Sequence, residues 1–224
     1  QAGRLAFVAP HELPVRHALT QGELARLLCA ERKLACRLEV VAVEGWRRDM
    51  AFVDTGLPWR APSPALPSAE AALLYPGVGL LELTNVSVGR GTERPFALVG
   101  APWIDGPALV AALGPVPGVR LEATRFTPRG AGALIHHAGQ ACSGIALAVT
   151  DPRALRPVRL GLALAAALVR LHGPRFEVER VDVLLRHAPT LALLRQGASP
   201  DALAASWAPE LEAFEARRAP FLLY

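Results

Sequence analysis

The chain has 224 residues, of which 52% are apolar and 20% are charged, and its formal net charge is +4. This composition excludes a disordered chain, and the length allows a substantial core in one large domain or two small ones. The basic residues are scattered arginines with Lys33 as the only lysine. Because a nucleic-acid groove needs clustered basic residues with interleaved aromatics, we expect no binding to nucleic acid.

Three cysteines, an odd number, do not form a disulfide framework. Cys29 and Cys36 are separated by a predicted helix end, so we expect free, buried thiols, and no metal-binding spacing accompanies them. The most apolar run, Leu160 to Val169, is too short to cross a bilayer and is flanked by arginines. It predicts a buried helix and no membrane span.

The first predicted elements are a short apolar segment, a helix and a strand. The apolar segment is Leu5 to Val8. Thr20 and Glu23 have the spacing of a capping box, which predicts a helix that runs to about Lys33. Arg37 to Val43 is rich in valine and is predicted to be a buried strand. A helix followed by an apolar strand is typical of an α/β layer.

A long irregular segment follows, from Trp46 to Pro67, and loops of this length are usually functional or mobile. Ser68 is predicted to cap a short helix, and the apolar run from Leu80 to Thr84 is predicted to be a strand. The composition favours a domain boundary between these two elements. We therefore divide the chain into residues 1–76 and 77–224.

The second half alternates between strands and helices, which predicts a mixed α/β domain. Val178 to Leu185 is ambiguous, while Trp207, Leu211 and Phe214 form one stripe on the last predicted helix. The other predicted elements are a strand near Ala97, a helix from Asp105 to Leu113, a strand from Val119 to Phe126, a glycine-rich loop from Arg129 to Gly139, a strand from Gly144 to Thr150, a helix from Arg156 to His172, a helical segment from Leu191 to Gly197, and a helix that begins at Ser199 and Pro200.

Polar residues are unusually dense in the run from Tyr75 to Trp103. It holds a carboxylate (Glu82), an amide (Asn85), a guanidinium (Arg90) and several glycines beside apolar residues. Glycine allows backbone conformations that are closed to other residues and allows a ligand to approach the main chain. The alternative is that Arg90 pairs with Glu82 or Glu93 and holds a glycine-rich turn.

Several ordered blocks, which cover nearly the whole chain, resemble one known family. They are FVAPHELPVRHALTQGELA (7–25), EGWRRDMAFVDTGLPW (44–59), the run 75–103, HAGQAC (137–142) and RRAPFLLY (217–224). These blocks are similar to sequences of the NamZ-type exo-β-N-acetylmuramidases. The run 75–103 is close to the family pattern YPG-x2-LLEGTN-x-SEGRGT-x2-PF-x3-GAPW.

The resemblance implies a bacterial glycoside hydrolase that is secreted, periplasmic or associated with the cell envelope. Its reaction is the removal of N-acetylmuramic acid from the non-reducing ends of peptidoglycan fragments during wall turnover. Muropeptides are then the expected partners, and this chemistry needs no metal or organic cofactor. The implied fold is mixed α/β, in which the tail of a Rossmann-like domain precedes a smaller C-terminal domain.

The family has a Rossmann-like first half, in which a Pro-Glu-His-Gly segment carries the presumed catalytic glutamate. This chain has no such segment, so we expect it to be the C-terminal part, and we assign no catalytic residue within it. Leu83 and Val88 stand where the family usually has glycine and glutamate, and Ala65 where it usually has asparagine. The alternative function is a non-catalytic muropeptide-binding module or an inactive remnant, and a third possibility is a structural interaction domain.

The resemblance places Glu82, Asn85 and Arg90 along one wall of a substrate cleft. Carboxylates and amides accept and donate hydrogen bonds to sugar hydroxyl groups, and a guanidinium holds a carboxylate such as the lactyl group of muramic acid. Arg90 is therefore the predicted ligand of that carboxylate.

Four further residues are expected near this cleft: Trp46, Arg47, His17 and His137. Trp46 offers an aromatic face for a sugar ring, although a buried tryptophan beside an exposed Arg–Asp pair is the commoner arrangement. His17 either lines the site or caps the following helix. On a regular strand His136 and His137 would face opposite ways, so a shared metal is not expected.

Overall fold

The computed structural model describes residues 10–224, and the predicted apolar segment Leu5 to Val8 lies outside this range. The described chain has a mixed α/β fold, as predicted. Its helices are α1 (Gln21–Glu31), α2 (Ala69–Val78), α3 (Gly106–Leu113), α4 (Pro157–His172), α5 (Asp182–Leu185), α6 (Ala188–Arg195), α7 (Pro200–Ala205) and α8 (Ala208–Arg218), and its strands are β1 (Leu98–Ala101), β2 (Val119–Phe126) and β3 (Cys142–Val149).

The three strands form one antiparallel sheet in the order β1-β3-β2. β2 and β3 pair along their whole length, from Val119 opposite Val149 to Phe126 opposite Cys142. β1 is buried at every position, whereas four of the eight residues of β2 are exposed. β2, at one edge of the sheet, therefore meets solvent, while β1 lies inside the molecule.

Helix α4 is the centre of the hydrophobic core. Nine of its residues are buried, and its bounds differ by one residue from those of the predicted helix, Arg156 to His172. It packs against α2, α3, α6 and α7. Within residues 10–224, no helix combines the length and hydropathy needed to cross a membrane.

Helices α2 and α4 cross at a pair of glycines, Gly77 and Gly161. A Cβ atom on Gly161 would lie 2.2 Å from the carbonyl oxygen of Gly77, and one on Gly77 would lie 1.7 Å from the carbonyl oxygen of Pro157. Main-chain atoms cannot yield as a flexible side chain can. The close approach of the two helices therefore requires glycine at both positions.

We predict that Gly161→Ala destabilises the protein by about 2 kcal/mol. Overpacking a core costs about 3 kcal/mol, of which the better helix propensity of alanine returns about 1 kcal/mol. Urea unfolding measures the difference. Gly132→Ala is the control, because its new Cβ would lie 3.5 Å from its nearest neighbour, the side chain of Ile135. Equal effects of the two substitutions would contradict the crossing as the cause.

Two predicted strands are wrong. Arg37 to Val43 forms no strand, and Val41 and Val43 are 87% and 63% exposed. A strand needs hydrogen bonds from a neighbouring strand, and none in the described chain lies beside this segment. Leu80 to Thr84 is buried or half-buried, but it continues from α2 as a 3-10 turn (Gly79–Leu81) and further turns. A short apolar run does not distinguish these conformations.

Three other expectations need correction. The last predicted helix is divided into α7 and α8, and Trp207, which was expected inside it, precedes the first residue of α8 and is only half-buried. The thiols of Cys29 and Cys36 lie 3.4 Å apart, and Cys36 is exposed where we expected a buried residue. Cys142 is buried, as expected.

Candidate functional site

The polar run is folded back on itself at the start of the sheet. The N–H group of Ser87 donates to the carbonyl oxygen of Gly100 (2.8 Å). The N–H group of Gly100 donates in return to the carbonyl oxygen of Ser87 (3.0 Å). The residues between them form a series of turns. Residues before and after these turns are thereby brought together at one place.

The glycines of this run are required by the protein's own packing. Gly89 and Gly91 have φ angles of 79° and 80°, in the left-handed region that favours glycine. A Cβ atom would lie 2.7 Å from the carbonyl oxygen of Arg94 at the first position, and 2.4 Å from that of Arg129 at the second. Protein main chain, rather than a ligand, therefore occupies the space beside them.

Glu82 and Arg90 form an ion pair through Nε of the arginine and Oε1 of the glutamate. The Glu82 side chain is 9% exposed and that of Arg90 is 25% exposed. The Arg90 guanidinium also lies 5.2 Å from the centre of the buried Phe96 ring. Arg90 is thus held by a carboxylate and an aromatic ring, and the expected alternative that it pairs with Glu82 is observed.

The side-chain amide of Asn85 links two segments of the chain. Its Nδ2 donates to the carbonyl oxygen of Arg175 (2.6 Å), and its Oδ1 accepts from the N–H group of Glu177 (3.1 Å). Both ends of the amide are engaged by main chain. Asn85 therefore positions the site, and a ligand would have to share its hydrogen bonds.

His136 and His137 both reach the main chain of the polar run. Nε2 of His136 lies 2.9 Å from the carbonyl oxygen of Glu82, and Nε2 of His137 lies 2.9 Å from that of Asn85. Because a carbonyl only accepts, both Nε2 atoms carry the proton. This segment is a turn rather than a regular strand, and His137 has a φ of 59°.

We call Glu82, Asn85, Arg90, His136 and His137 the Glu82 cluster. Only Nε of the Arg90 guanidinium takes part in the pair with Glu82. Within residues 10–224, the Nη groups of Arg90 and the Nδ1 atoms of both histidines have no hydrogen-bond partner. The cluster can therefore offer a ligand a planar cation and two imidazole nitrogens.

A second group of polar contacts joins α1 to the last residues of the chain. The buried Glu23 carboxylate accepts from the N–H groups of Thr20 (2.7 Å) and Leu223 (2.8 Å) and pairs with Arg48. Arg48 also donates to the carbonyl oxygen of Tyr224 (3.2 Å). We call Glu23, Arg48, Leu223 and Tyr224 the tail clamp. The capping box indicated Glu23 only as a helix cap, and no sequence signal pointed to its other partners.

Three of the predicted site residues lie at the tail clamp. Trp46 is half-buried with its ring 4.7 Å from that of Tyr224, and Arg47 forms an exposed pair with Asp49 (3.3 Å). Nδ1 of His17 accepts from the N–H group of Leu19 (3.1 Å). The contacts of Trp46 and Arg47 match the structural alternative for this pair, except that Trp46 is only half-buried. His17 does not cap α1, because Thr20 is the N-cap and the hydrogen bond of His17 lies ahead of the helix.

His17 supplies a test of this geometry. Burial and, next, the charge of Arg218 lower the pKa of His17 below its ordinary value of 6.5. The neutral ring therefore stabilises the fold above pH 6.5, and this contribution is lost as the pH falls through the lowered pKa. An NMR titration should place the midpoint below 6.5, and Arg218→Gln should raise it. An unchanged midpoint in that variant would contradict the proximity of the two charges.

The structure divides the predicted site residues into two groups. Glu82, Asn85, Arg90 and His137 meet in the Glu82 cluster, whereas Trp46, Arg47 and His17 lie at or beside the tail clamp. Among the contacts of the described chain, none joins a member of one group directly to a member of the other. Nor does any group of three or more His, Cys, Asp or Glu side chains in residues 10–224 form a metal site.

A sequence model described as the C-terminal part of the exo-β-N-acetylmuramidase NamZ matches residues 73–224. This chain belongs to the NamZ family. The model of the N-terminal part of NamZ matches residues 1–70. The chain is also 35% identical to the peptidoglycan β-N-acetylmuramidase NamZ of Bacillus subtilis, over 98% of its own length and 53% of that protein.

Two crystal structures of DUF1343 family proteins from Bacteroides fragilis have the same fold as this NamZ family chain. The first has a TM-score of 0.81 and 25% identity, over 100% of this chain and 61% of the other. The second has a TM-score of 0.75 and 26% identity, and the match covers 99% of this chain and 60% of the other. The chain therefore spans between one half and two thirds of the length of these relatives.

Proposed function

We propose that this chain takes part in removing N-acetylmuramic acid from the non-reducing ends of peptidoglycan fragments, and that the Glu82 cluster binds the muramic acid. The single observation that carries this proposal is the state of Arg90. Its guanidinium is fixed by Glu82 and Phe96, yet its Nη groups are not used by the described protein. The relative from Bacillus subtilis supports the class of substrate.

The chemistry of muramic acid fits such a guanidinium. Its lactyl group carries a carboxylate, and glucosamine has no lactyl group. A guanidinium binds a carboxylate through two parallel N–H donors, and both Nη atoms of Arg90 are available for this. Since Glu82 and Phe96 already hold the side chain, little side-chain entropy remains to be lost on binding.

The other residues of the cluster would orient the sugar. Nδ1 of His137 can accept a hydrogen bond from a sugar hydroxyl group, because its Nε2 proton is directed at the carbonyl oxygen of Asn85. Asn85 would act as a positioning residue through its bonds to residues 175–177. Trp46, with the exposed Arg47 beside it, is proposed to contact more distant sugars of the peptidoglycan fragment, with His17 as a support of that surface.

We propose binding rather than proton transfer for these residues. Glu82 is already engaged in an ion pair with Arg90, which suits a residue that holds the guanidinium in place. We propose that the catalytic glutamate lies outside these 224 residues, in the Pro-Glu-His-Gly segment that the resemblance implies. The proposed division at residue 76 assigns the Glu82 cluster to the second unit.

The test uses the native gene product that contains these 224 residues. It is incubated with peptidoglycan disaccharides that end in either N-acetylmuramic acid or N-acetylglucosamine at the non-reducing end. We expect free N-acetylmuramic acid to be released from the first substrate and no sugar from the second. Release from both substrates, or from internal bonds, would contradict the proposal.

A non-catalytic muropeptide-binding function is the second candidate. One observation favours it: Val88, at a position where the family usually has glutamate, is 1% exposed in the core and so contributes no polar group to the site. This candidate predicts calorimetric binding of the muramic disaccharide without release of sugar. The same incubation therefore distinguishes the two functions.

A further inference from the structure

The thiols of Cys29 and Cys36 are in direct contact. Their sulfur atoms lie 3.4 Å apart, although seven positions separate the residues in the sequence. Cys36 is exposed and Cys29 is half-buried. The third cysteine, Cys142, is buried in β3.

The end of α1 brings the two thiols together. Lys33 has a φ of 49°, in the left-handed region, and turns the chain back on the helix. The N–H group of Leu34 then donates to the carbonyl oxygen of Cys29 (3.0 Å), and that of Cys36 donates to the carbonyl oxygen of Leu34 (2.9 Å). This local hydrogen bonding holds Cys36 beside the last turn of the helix.

We propose that Cys29 and Cys36 form a redox-active pair that is oxidised to an intramolecular disulfide by a low-molecular-weight disulfide such as glutathione disulfide. The sulfur atoms need to approach by little more than 1 Å to reach the length of a disulfide bond, about 2.05 Å. This proposal is independent of the proposed function.

The reaction has two exchange steps. The Cys36 thiolate attacks one sulfur of glutathione disulfide, forms a mixed disulfide and releases one glutathione thiolate. The Cys29 thiolate then attacks the Cys36 sulfur and displaces the second glutathione thiolate. Two protein thiols are oxidised, one glutathione disulfide is reduced to two glutathione molecules, and the two protons leave with them.

Exposure and acidity favour this order of attack. Cys36 is accessible to the oxidant, whereas the hydrogen bond with Cys36 and, next, burial raise the pKa of Cys29. Burial raises the pKa of Cys142 to about 11, so this thiol is both enclosed and protonated. Cys142 is therefore a control within the same molecule.

The experiment equilibrates the native protein with excess glutathione disulfide at pH 8, quenches with acid, alkylates under denaturing conditions and measures the intact mass. We expect the number of alkylatable thiols to fall by two per chain, with loss of two hydrogen atoms and no glutathione adduct. Peptide mapping of the same sample should show Cys29 joined to Cys36, and it needs no variant to fold.

Variants separate the steps. Cys29→Ser should trap glutathione on Cys36, because the resolving thiol is absent, and Cys142→Ser should form the disulfide as the wild type does. A stable glutathione adduct on wild-type Cys36, a disulfide between two chains, or a bond to Cys142 would each overturn the proposal. Retention of alkylatable thiols at both Cys29 and Cys36 would overturn it as well.

Discussion

Glu23→Gln is expected to lower the free energy of unfolding by about 3 kcal/mol, the cost of breaking a buried ion pair. The Glu23 side chain is fully buried and receives the Arg48 guanidinium and the N–H groups of Thr20 and Leu223. A glutamine amide removes the charge and directs N–H groups towards these donors. Urea unfolding at pH 7 measures the loss.

The pH dependence of the unfolding free energy shows whether the charge of Glu23 causes this loss of stability. Burial raises the pKa of Glu23, but hydrogen bonds from Leu223 and Thr20 and the charge of Arg48 outweigh burial and hold it below its ordinary value. The carboxylate therefore stabilises the fold above its unfolded pKa, and this contribution disappears as the pH falls through the lowered folded value. The wild type should lose its advantage over Glu23→Gln in acid.

The matched control is Glu212→Gln, which alters an exposed glutamate on α8. Its effect should be within about 0.5 kcal/mol at every pH, as is usual for exposed positions. If the difference between wild type and Glu23→Gln stayed constant down to pH 2, the charge of Glu23 would not be its source.

Arg90→Leu is expected to raise KM for substrates that end in N-acetylmuramic acid by about 10- to 100-fold. A hydrogen-bonded charge contributes about 1.5–3 kcal/mol, and each 1.4 kcal/mol corresponds to a tenfold change. Since N-acetylglucosamine has no lactyl carboxylate, binding of a matched glucosamine disaccharide should change much less. Steady-state kinetics and calorimetric binding of both sugars provide the comparison.

Two further variants separate binding from stability. Arg90→Leu leaves the Glu82 carboxylate without its partner, so a loss of about 3 kcal/mol in unfolding free energy is expected as well. Arg90→Lys keeps the charge but lacks the planar pair of donors, and should retain much of the stability while losing muramic acid affinity. Equal losses of affinity for both sugars would exclude Arg90 as the ligand of the lactyl group.

Local patterns in the sequence were sufficient to predict most of the helices and strands in the second half of the chain. β2 has the predicted bounds, and α4 differs from its prediction by one residue. The capping box of Thr20 and Glu23 is formed, with both of its hydrogen bonds. Such signals succeed because caps and periodicity depend on residues a few positions apart.

The contacts that build the candidate site depend on residues far apart in the sequence. No pattern indicated that Asn85 would bind the main chain at Arg175 and Glu177, or that His136 would reach Glu82. In the segment from Arg37 to Val43, the valines favour a strand, but they cannot supply the neighbouring strand with which it would have to pair. Propensity predicts local conformation and leaves pairing undetermined.

The tail clamp imposes an order on folding during synthesis. Leu223 and Glu23 are 200 positions apart, so α1 and the segment after it wait for Leu223 and Tyr224 to leave the ribosome. At about 5–20 residues per second, this interval lasts about 10–40 s. Throughout it Glu23 lacks its bond from Leu223, and Val43 lacks its hydrogen bond to the Tyr224 hydroxyl. During this interval α1 and the segment after it are therefore open to proteases and chaperones.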